Sequence, residues 1–184
     1  MAQGSDPLSA GGSGFEATAV EAGLLAKASS LGSGTRVIAV FARPGTEPPR
    51  GPLCVALWGV RDPGNVGTVL RSALAFGADS VALGPDSADP FGPKAVRASM
   101  GAVFSVPVAR VERVDELPAP TVALVAREGE ALQGGPATFV VGAEREGLPR
   151  EIVDACDRVA HIPIRSESLN AAMAATVALY EAVR

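Results

Sequence analysis

From residue 53 onward, short apolar runs alternate with segments of helical periodicity, and this alternation constrains the fold more than any other feature. The apolar runs cover residues 53–58, 80–83, 103–108, 121–125, 138–141 and 159–164, and the helical segments cover 66–76, 93–100, 149–156 and 169–183. Continuous apolar strands alternating with helices are typical of parallel sheets that are covered on both faces. The sequence therefore predicts an α/β fold: a mainly parallel sheet with helices on both faces.

Length and composition are those of one globular domain with a full core, or of one domain plus a fragment. The chain has 184 residues, of which 47% are hydrophobic, and this excludes a disordered chain. It has no uninterrupted apolar stretch that could cross a bilayer and no signal peptide, so we expect a cytoplasmic protein without a membrane segment. The net charge of −4 argues mildly against a non-specific nucleic-acid binder, although a local basic surface remains open.

Cysteine and histidine are too sparse for a metal site. Cys54 and Cys156 lie in apolar surroundings, which favours buried, reduced thiols. His161 is the single histidine and lies within the apolar run 159–164, where a packed, hydrogen-bonded strand residue is the expected role. We therefore predict no metal, and a Ser-His-Asp triad would have to use His161.

The first 52 residues differ in character from the rest. Residues 1–20 are rich in Gly, Ser and Ala and are expected to be a flexible tail. A helix is expected over 21–31 and a strand over 37–41, and the Pro- and Gly-rich stretch 43–52 predicts a linker. This part is too short to form a well-packed hydrophobic core of its own.

The first polar segment opens the helix expected over 66–76. Asn65 is a good helix N-cap, and Gly77 is a C-cap candidate. Gly67 costs about 0.5–1 kcal/mol relative to alanine early in a helix, so it needs a reason. Arg71 lies one turn later on the same side and would project over backbone that Gly67 leaves bare, forming a cationic surface suited to a phosphate. A tolerated glycine beside a surface arginine explains the segment equally well.

Two further segments follow later strands. Gly142 ends the run 138–141, where it would let a ligand approach the backbone, and Glu144 adds a carboxylate at the ligand-binding edge of the sheet. An ordinary strand–turn–helix connection is the strong alternative. Ser168 is the expected N-cap of the last helix. Asn170, a poor helix former, is either a second cap or directed at a ligand.

Basic residues gather around the same segments, although each could be an ordinary solvated side chain. They are Arg61, Arg71, Lys94, Arg97, Arg145, Arg150 and Arg165.

Taken in order, these segments resemble the SpoU branch of the SPOUT RNA methyltransferases. The pattern is Asn-x-Gly-x-x-x-Arg at 65–71, Gly-x-Glu-x-x-Gly at 142–147 and Ile-Pro-Ile at 162–164, followed by Ser-Leu-Asn at 168–170. Residues 93–102 also resemble the stretch after the first motif, and the resemblance covers about residues 53–184. It implies S-adenosylmethionine as methyl donor, a ribose 2′-hydroxyl of ribosomal or transfer RNA as acceptor, a C-terminal trefoil knot, and a homodimer with its active site at the subunit interface.

The resemblance also implies roles for particular residues. Backbone groups at three positions would hold the cofactor: Gly142, Ile162 and Leu169. The positions that match the family's catalytic and substrate set are Asn65, Arg71, Glu144, Ser168 and Asn170. The family proposal makes the arginine a base, but a guanidinium is very hard to deprotonate, so Arg71 is the safer choice for an electrostatic clamp on phosphate and alkoxide.

Residues 24–44 resemble the last part of the ribosomal-protein-L30-like RNA-binding domain of many relatives. The expected organisation is a tail (1–20), a remnant or reduced RNA-binding segment with linker (21–50) and a SPOUT methyltransferase domain (51–184). One rival interpretation is a non-catalytic RNA-binding module with the same fold. A Rossmann oxidoreductase ranks lower, because residues 58–64 lack the Gly-x-Gly-x-x-Gly pattern.

Overall fold

The computed structural model describes residues 18–29, 36–43, 45 and 47–184, and the chain divides into two compact units, Met1–Ala42 and Arg43–Arg184. In the first unit, helix α1 (Ala22–Ala28) forms inside the helix expected over 21–31, whose last two residues lie outside the described part. The strand expected over 37–41 is wrong, since these residues form no strand and Val40 is 96% exposed. A strand needs a partner for its backbone groups, and no pairing forms there.

In the second unit, the described residues form a seven-stranded sheet in which every neighbouring pair is parallel. The spatial order is β3-β2-β1-β6-β4-β7-β5, and this confirms the expected parallel sheet. The strands are β1 (Cys54–Trp58), β2 (Ser80–Leu83), β3 (Val108–Arg110), β4 (Thr121–Leu124), β5 (Glu130–Ala131), β6 (Thr138–Gly142) and β7 (Arg158–His161). Their carboxyl ends share one edge, where ligands bind in open α/β sheets.

Helices cover both faces of the sheet, as expected. They are α2 (Pro63–Phe76), α3 (Pro93–Ser99), α4 (Arg150–Ala155) and α5 (Ala171–Val183), with 3₁₀ turns at Ala102–Phe104 and Val114–Glu116. Side chains of β1 alternate between two apolar clusters: Val55 and Leu57 pack with residues of α2 and α5, whereas Ala56 packs with Ile152 of α4. The period of two in a strand produces this division.

Two strand predictions differ from the structure, and one short strand was not predicted. The run 103–108 begins as a 3₁₀ turn, and β3 starts only at Val108, after Pro107, which has no N–H to donate to a sheet. Val103 and Val106 are nevertheless buried. The apolar pattern therefore predicted the burial of this run correctly but its pairing in the sheet wrongly. The last apolar run forms a strand only over Arg158–His161, and the exposed two-residue strand β5 carries no apolar signal.

Two expected helix caps are also wrong. Helix α2 begins three residues early, because Asp62 is the N-cap and accepts a bond of 2.7 Å from the N–H of Gly64, with Pro63 at the first helical position. Asn170 rather than Ser168 caps α5. The C-cap at Gly77 is confirmed by its left-handed backbone (φ +70°). The trefoil knot stays a prediction.

Candidate active site

Loops that follow three adjacent strands line a cavity in the second unit. This central cavity has a volume of about 350 Å³ and lies at the carboxyl ends of β4, β6 and β7, against the first turn of α5. Its size suits a small-molecule ligand, since such pockets measure about 300–1,000 Å³. The apolar part of its wall includes Leu124, Val141, Ile162, Ile164 and Leu169. The three residues expected to hold the cofactor, Gly142, Ile162 and Leu169, all line it.

Gly142 is required by the chain's own backbone. A β-carbon added there would lie 2.5 Å from the nitrogen of Leu148 and closer still to the carbonyl of Gly147. The loop folds back because the N–H of Gly147 donates to the carbonyl of Ala143 over 2.9 Å, with Gly147 at φ +69°. The expectation explained the glycine by room for a ligand. Residues 147 and 148 occupy that space, so the packing of this loop explains the glycine instead.

A chain of hydrogen bonds joins the three polar segments. The Oδ1 atom of Asn170 accepts bonds from the N–H groups of Ala172 (2.9 Å) and Met173 (3.3 Å). Its Nδ2 atom donates to Oδ1 of Asn65 over 3.2 Å, and Nδ2 of Asn65 donates to Oε1 of Glu144. Each amide uses its oxygen as acceptor and its nitrogen as donor, so the orientation of both side chains is fixed. We call this chain the Asn170–Asn65–Glu144 relay.

The relay borders a second, shallower depression beside the central cavity. This β1–β6 depression is lined by Arg61, Asn65, Arg145 and Asn170, together with Glu144, which also lines the central cavity. Ser168 lines the central cavity. The fold thus brings four of the five expected catalytic or substrate residues to one edge of the sheet.

Arg71 is the exception. It is exposed on α2, lines neither the central cavity nor the β1–β6 depression, and has no ion pair or side-chain hydrogen bond with any residue that the structure describes. Gly67 does not leave bare backbone for an anion, contrary to expectation. A β-carbon there would lie 2.7 Å from the β-carbon of Ala98 and 2.9 Å from the nitrogen of Ser99. The glycine therefore allows α3 to pack directly against α2.

Comparison with known proteins assigns the family. Residues 52–180 match the SpoU rRNA Methylase family. The chain belongs to this family. It is similar to the 23S rRNA (guanosine(2553)-2′-O)-methyltransferase RlmP of Bacillus subtilis, with 37% identity over 66% of this chain and 54% of the relative. It is also similar to the 23S rRNA (uridine(2479)-2′-O)-methyltransferase of Streptomyces viridochromogenes, with 33% identity over 80% of this chain and 60% of the relative.

Solved structures agree with the SpoU assignment. The AdoMet-bound rRNA methyltransferase from Sinorhizobium meliloti superposes with a TM-score of 0.65 and 36% identity, over 73% of this chain and 56% of that one. The chain thus spans between about half and three fifths of the length of these relatives.

In this SpoU chain, an ion pair that the sequence did not single out connects α2 to α3. Nζ of Lys94 donates to Oδ1 of Asp62 over 2.7 Å, and that oxygen also caps α2. The Lys94 bond, followed by the Gly64 N–H, lowers the pKa of the Asp62 carboxyl below its usual value. The sequence Asp62-Pro63 could have revealed the cap, because proline is common at the first position of a helix.

The remaining titratable candidates stand apart from the relay. Among the described residues, the buried Nδ1 of His161 has no hydrogen-bond partner, so the expected hydrogen-bonded side chain is wrong; the carbonyl of His161 accepts from the N–H of Leu132 at 2.8 Å. Both cysteines are free thiols, and burial raises the pKa of Cys54 and that of Cys156, the latter to about 11.

The described residues offer neither a metal site nor a membrane-spanning helix. No three His, Cys, Asp or Glu residues of the described chain cluster as metal ligands would. Among those same residues, no helix is long and apolar enough to cross a membrane.

Proposed function

We propose that this chain transfers a methyl group from S-adenosylmethionine to a ribose 2′-hydroxyl of ribosomal RNA. The observation that carries the proposal is the meeting of the central cavity with the Asn170–Asn65–Glu144 relay, because a donor pocket and a set of polar groups must adjoin for transfer to occur. Membership in the SpoU family and relatives described as 23S rRNA 2′-O-methyltransferases support the same reaction. RNA of the ribosome would place the enzyme in the cytoplasm.

The central cavity fits the proposed donor. Its apolar walls, such as Leu124 and Ile162, suit the adenosine part, and the backbone groups of Gly142, Ile162 and Leu169 would supply its hydrogen bonds. The donor carries its methyl group on a sulfonium, which already activates that group for in-line displacement. The protein therefore needs to orient the ribose hydroxyl, and positioning alone supplies up to about 7–11 kcal/mol in ideal cases.

The relay provides that orientation. Asn170 is held by the first N–H groups of α5, and through Asn65 it fixes the carboxylate of Glu144 at the boundary between the cavity and the β1–β6 depression. Glu144 and Ser168 would then present acceptor oxygens to the ribose. The new bond would form between the 2′-oxygen and the methyl carbon as the carbon–sulfur bond breaks, with its electron pair left on sulfur as a neutral thioether and the hydroxyl proton passed to solvent.

We further propose that the active enzyme is a homodimer in which one copy supplies Arg71 to the cavity of the other. Arg71 is unpaired among the described residues and lies outside its own cavity lining. Helix α5 also exposes an apolar stripe of Met173 (61%), Val177 (37%) and Tyr180 (51%), one turn apart, and Leu74 of α2 is exposed as well. Such a stripe is typical of a surface that another subunit covers.

The direct test is methyl incorporation from labelled S-adenosylmethionine into unmodified 23S rRNA, with transfer RNA in parallel. We expect label on a ribose of the 23S rRNA. Label in transfer RNA alone would correct the substrate, and label in neither, despite cofactor binding, would favour the non-catalytic module. Asn65→Ala should lower kcat about 10- to 100-fold with an unchanged cofactor Kd, because breaking the relay costs about 1.4–2.8 kcal/mol. Thr68→Ala, an exposed change on the same helix, is the matched control.

Mixed dimers test the shared site. Arg71→Ala and Glu144→Ala should each be inactive, but a heterodimer of the two contains one site with both residues intact, so mixing should restore activity. Arg71→Lys keeps the charge and loses the two-pronged geometry, so partial activity is expected. Failure of mixing to restore activity, in a sample shown by sedimentation to contain heterodimers, would place Arg71 in its own subunit's site.

A further inference from the structure

A second shallow depression lies at the carboxyl ends of β4 and β7, on the side of the central cavity away from β1. This β4–β7 depression has a volume of about 760 Å³ and is lined by Ala126, Arg127 and residues 161–166. It shares Ala126, Ile162 and Ile164 with the central cavity, so the two are continuous. The reaction proposed above uses neither of its two arginines, Arg127 and Arg165.

Its charge is unbalanced. The lining contains the guanidinium groups of Arg127 and Arg165 and no carboxylate. Both arginines are exposed, and within the described ranges neither has an ion pair or a side-chain hydrogen bond. Many other arginines of the chain do pair with a carboxylate: Arg43, Arg50, Arg61, Arg113, Arg150 and Arg184. Two unpaired guanidiniums in one concave surface attract an anion.

The strand order places this depression on a line with the proposed reaction site. Along the carboxyl edge, the order β1-β6-β4-β7 sets the β1–β6 depression first, the central cavity next and the β4–β7 depression last. Adjacent strands are about 4.8 Å apart, so roughly 14 Å separate β1 from β7. An extended RNA strand with its target ribose near Asn65 could therefore pass over the cavity and reach Arg127 and Arg165.

We propose that the β4–β7 depression binds a backbone phosphate of the RNA substrate, held by Arg127 and Arg165, and so anchors the strand beyond the cofactor cavity. The proposal rests on the RNA methyltransferase function proposed above. A phosphate suits the lining better than a base, because guanidinium groups match phosphate oxygens, whereas the lining has no Phe, Tyr or Trp and its one ring is the partly buried imidazole of His161. A carboxylate of the methyl donor offers similar chemistry, and the experiment separates the two.

The test is the salt dependence of RNA binding by the full chain. Wild type and the double variant Arg127→Gln/Arg165→Gln are titrated with unmodified 23S rRNA, made by transcription in vitro, over a series of salt concentrations. Loss of one phosphate contact on a single strand lowers the magnitude of the slope of log K against log salt by about 0.7, and this is the expected change. At 0.1 M salt it corresponds to roughly fivefold weaker binding if the curves meet near 1 M.

Two comparisons make the result specific. Arg158→Gln removes the same charge from the amino end of β7, away from the depression, and should leave the slope close to that of wild type. The double variant Arg127→Lys/Arg165→Lys keeps both charges and should retain most of the slope. The Kd of S-adenosylmethionine, measured by calorimetry, should change less than twofold in the double glutamine variant.

The outcomes separate the two proposals. If wild type methylates the RNA while the double glutamine variant keeps the wild-type salt slope, the phosphate site is overturned and the methyltransferase function stands. A weaker cofactor Kd with an unchanged RNA slope would assign the arginines to the donor carboxylate and overturn the phosphate site as well. Absence of both RNA binding and methyl transfer in wild type would refute the two proposals together.

Discussion

Replacing Gly67 with alanine should destabilise the second unit, although alanine is the better helix former. On propensity alone, the change would stabilise α2 by about 0.5–1 kcal/mol. The new β-carbon, however, would lie 2.7 Å from the β-carbon of Ala98, whereas carbon atoms normally approach to about 3.5–4.0 Å. It would lie closer still to the carbonyl oxygen of Ala95, which is part of the α3 backbone and cannot rotate away.

Relief of this overlap requires α3 to move by about 1 Å, since the shortfall at Ala98 alone is about 0.8–1.3 Å. Overpacking of this kind costs about 1–3 kcal/mol, which exceeds the gain in propensity. We therefore expect a net loss of about 0.5–2 kcal/mol in the free energy of unfolding, measured from the urea midpoint with an unchanged m value. Ala75→Gly, at an exposed position of the same helix, calibrates the propensity effect and should cost no more than about 1 kcal/mol. A Gly67→Ala protein as stable as wild type, or more so, would refute the close approach of α2 and α3.

Three further predictions follow from the structure. Asp62→Asn keeps a capping oxygen but loses the exposed ion pair to Lys94, so it should cost less than about 1 kcal/mol at neutral pH. Because folding lowers the Asp62 pKa, that difference should decline once the pH falls below the unfolded value of about 3.9 and vanish below the lowered folded pKa, as urea midpoints across pH would show. Cys156, with its pKa raised to about 11, should react with iodoacetamide at pH 8 about tenfold or more slowly than an unfolded control, as followed by mass spectrometry; equal rates would contradict its burial. Gly142→Ala should displace residues 147 and 148 and weaken S-adenosylmethionine binding about tenfold or more, which corresponds to about 1.4 kcal/mol or more. An unchanged calorimetric Kd would contradict the tight loop.

The sequence predicted the fold well where a physical pattern is local. Apolar runs such as 54–58 are buried on both faces, and their composition alone indicates a parallel sheet. Pairing is not local, so the order that puts β6 between β1 and β4 could not be predicted from the strand pattern. The run 103–108 shows the same limit, because burial and strand pairing leave identical apolar patterns.

At the site, the structure brings together most of the residues that the sequence singled out, but it gives different reasons for two of them. Asn65, Glu144 and Asn170 are far apart in the chain, and only the resemblance to SpoU proteins grouped them before the structure joined them through hydrogen bonds. The two glycines were attributed to ligand approach, but both are explained by backbone packing that no single segment shows: Gly67 against α3 and Gly142 against the loop after β6. Lys94 and Asp62 were missed as a pair because they lie 32 residues apart.

The position of β6 has a consequence for how the chain folds during synthesis. Strands β1, β2 and β3 leave the ribosome first and can associate at once, but the inner side of β1 has no neighbour until residues 138–142 emerge. Strand β4 is synthesised before β6 but is connected to β1 only through β6. Until β6 emerges, β4 therefore has no place in the sheet and stays unpaired. Long-range parallel pairing of this kind is slow and exposes apolar edges to aggregation. Nascent chains halted before residue 138 should therefore depend on chaperones far more than chains that extend past it.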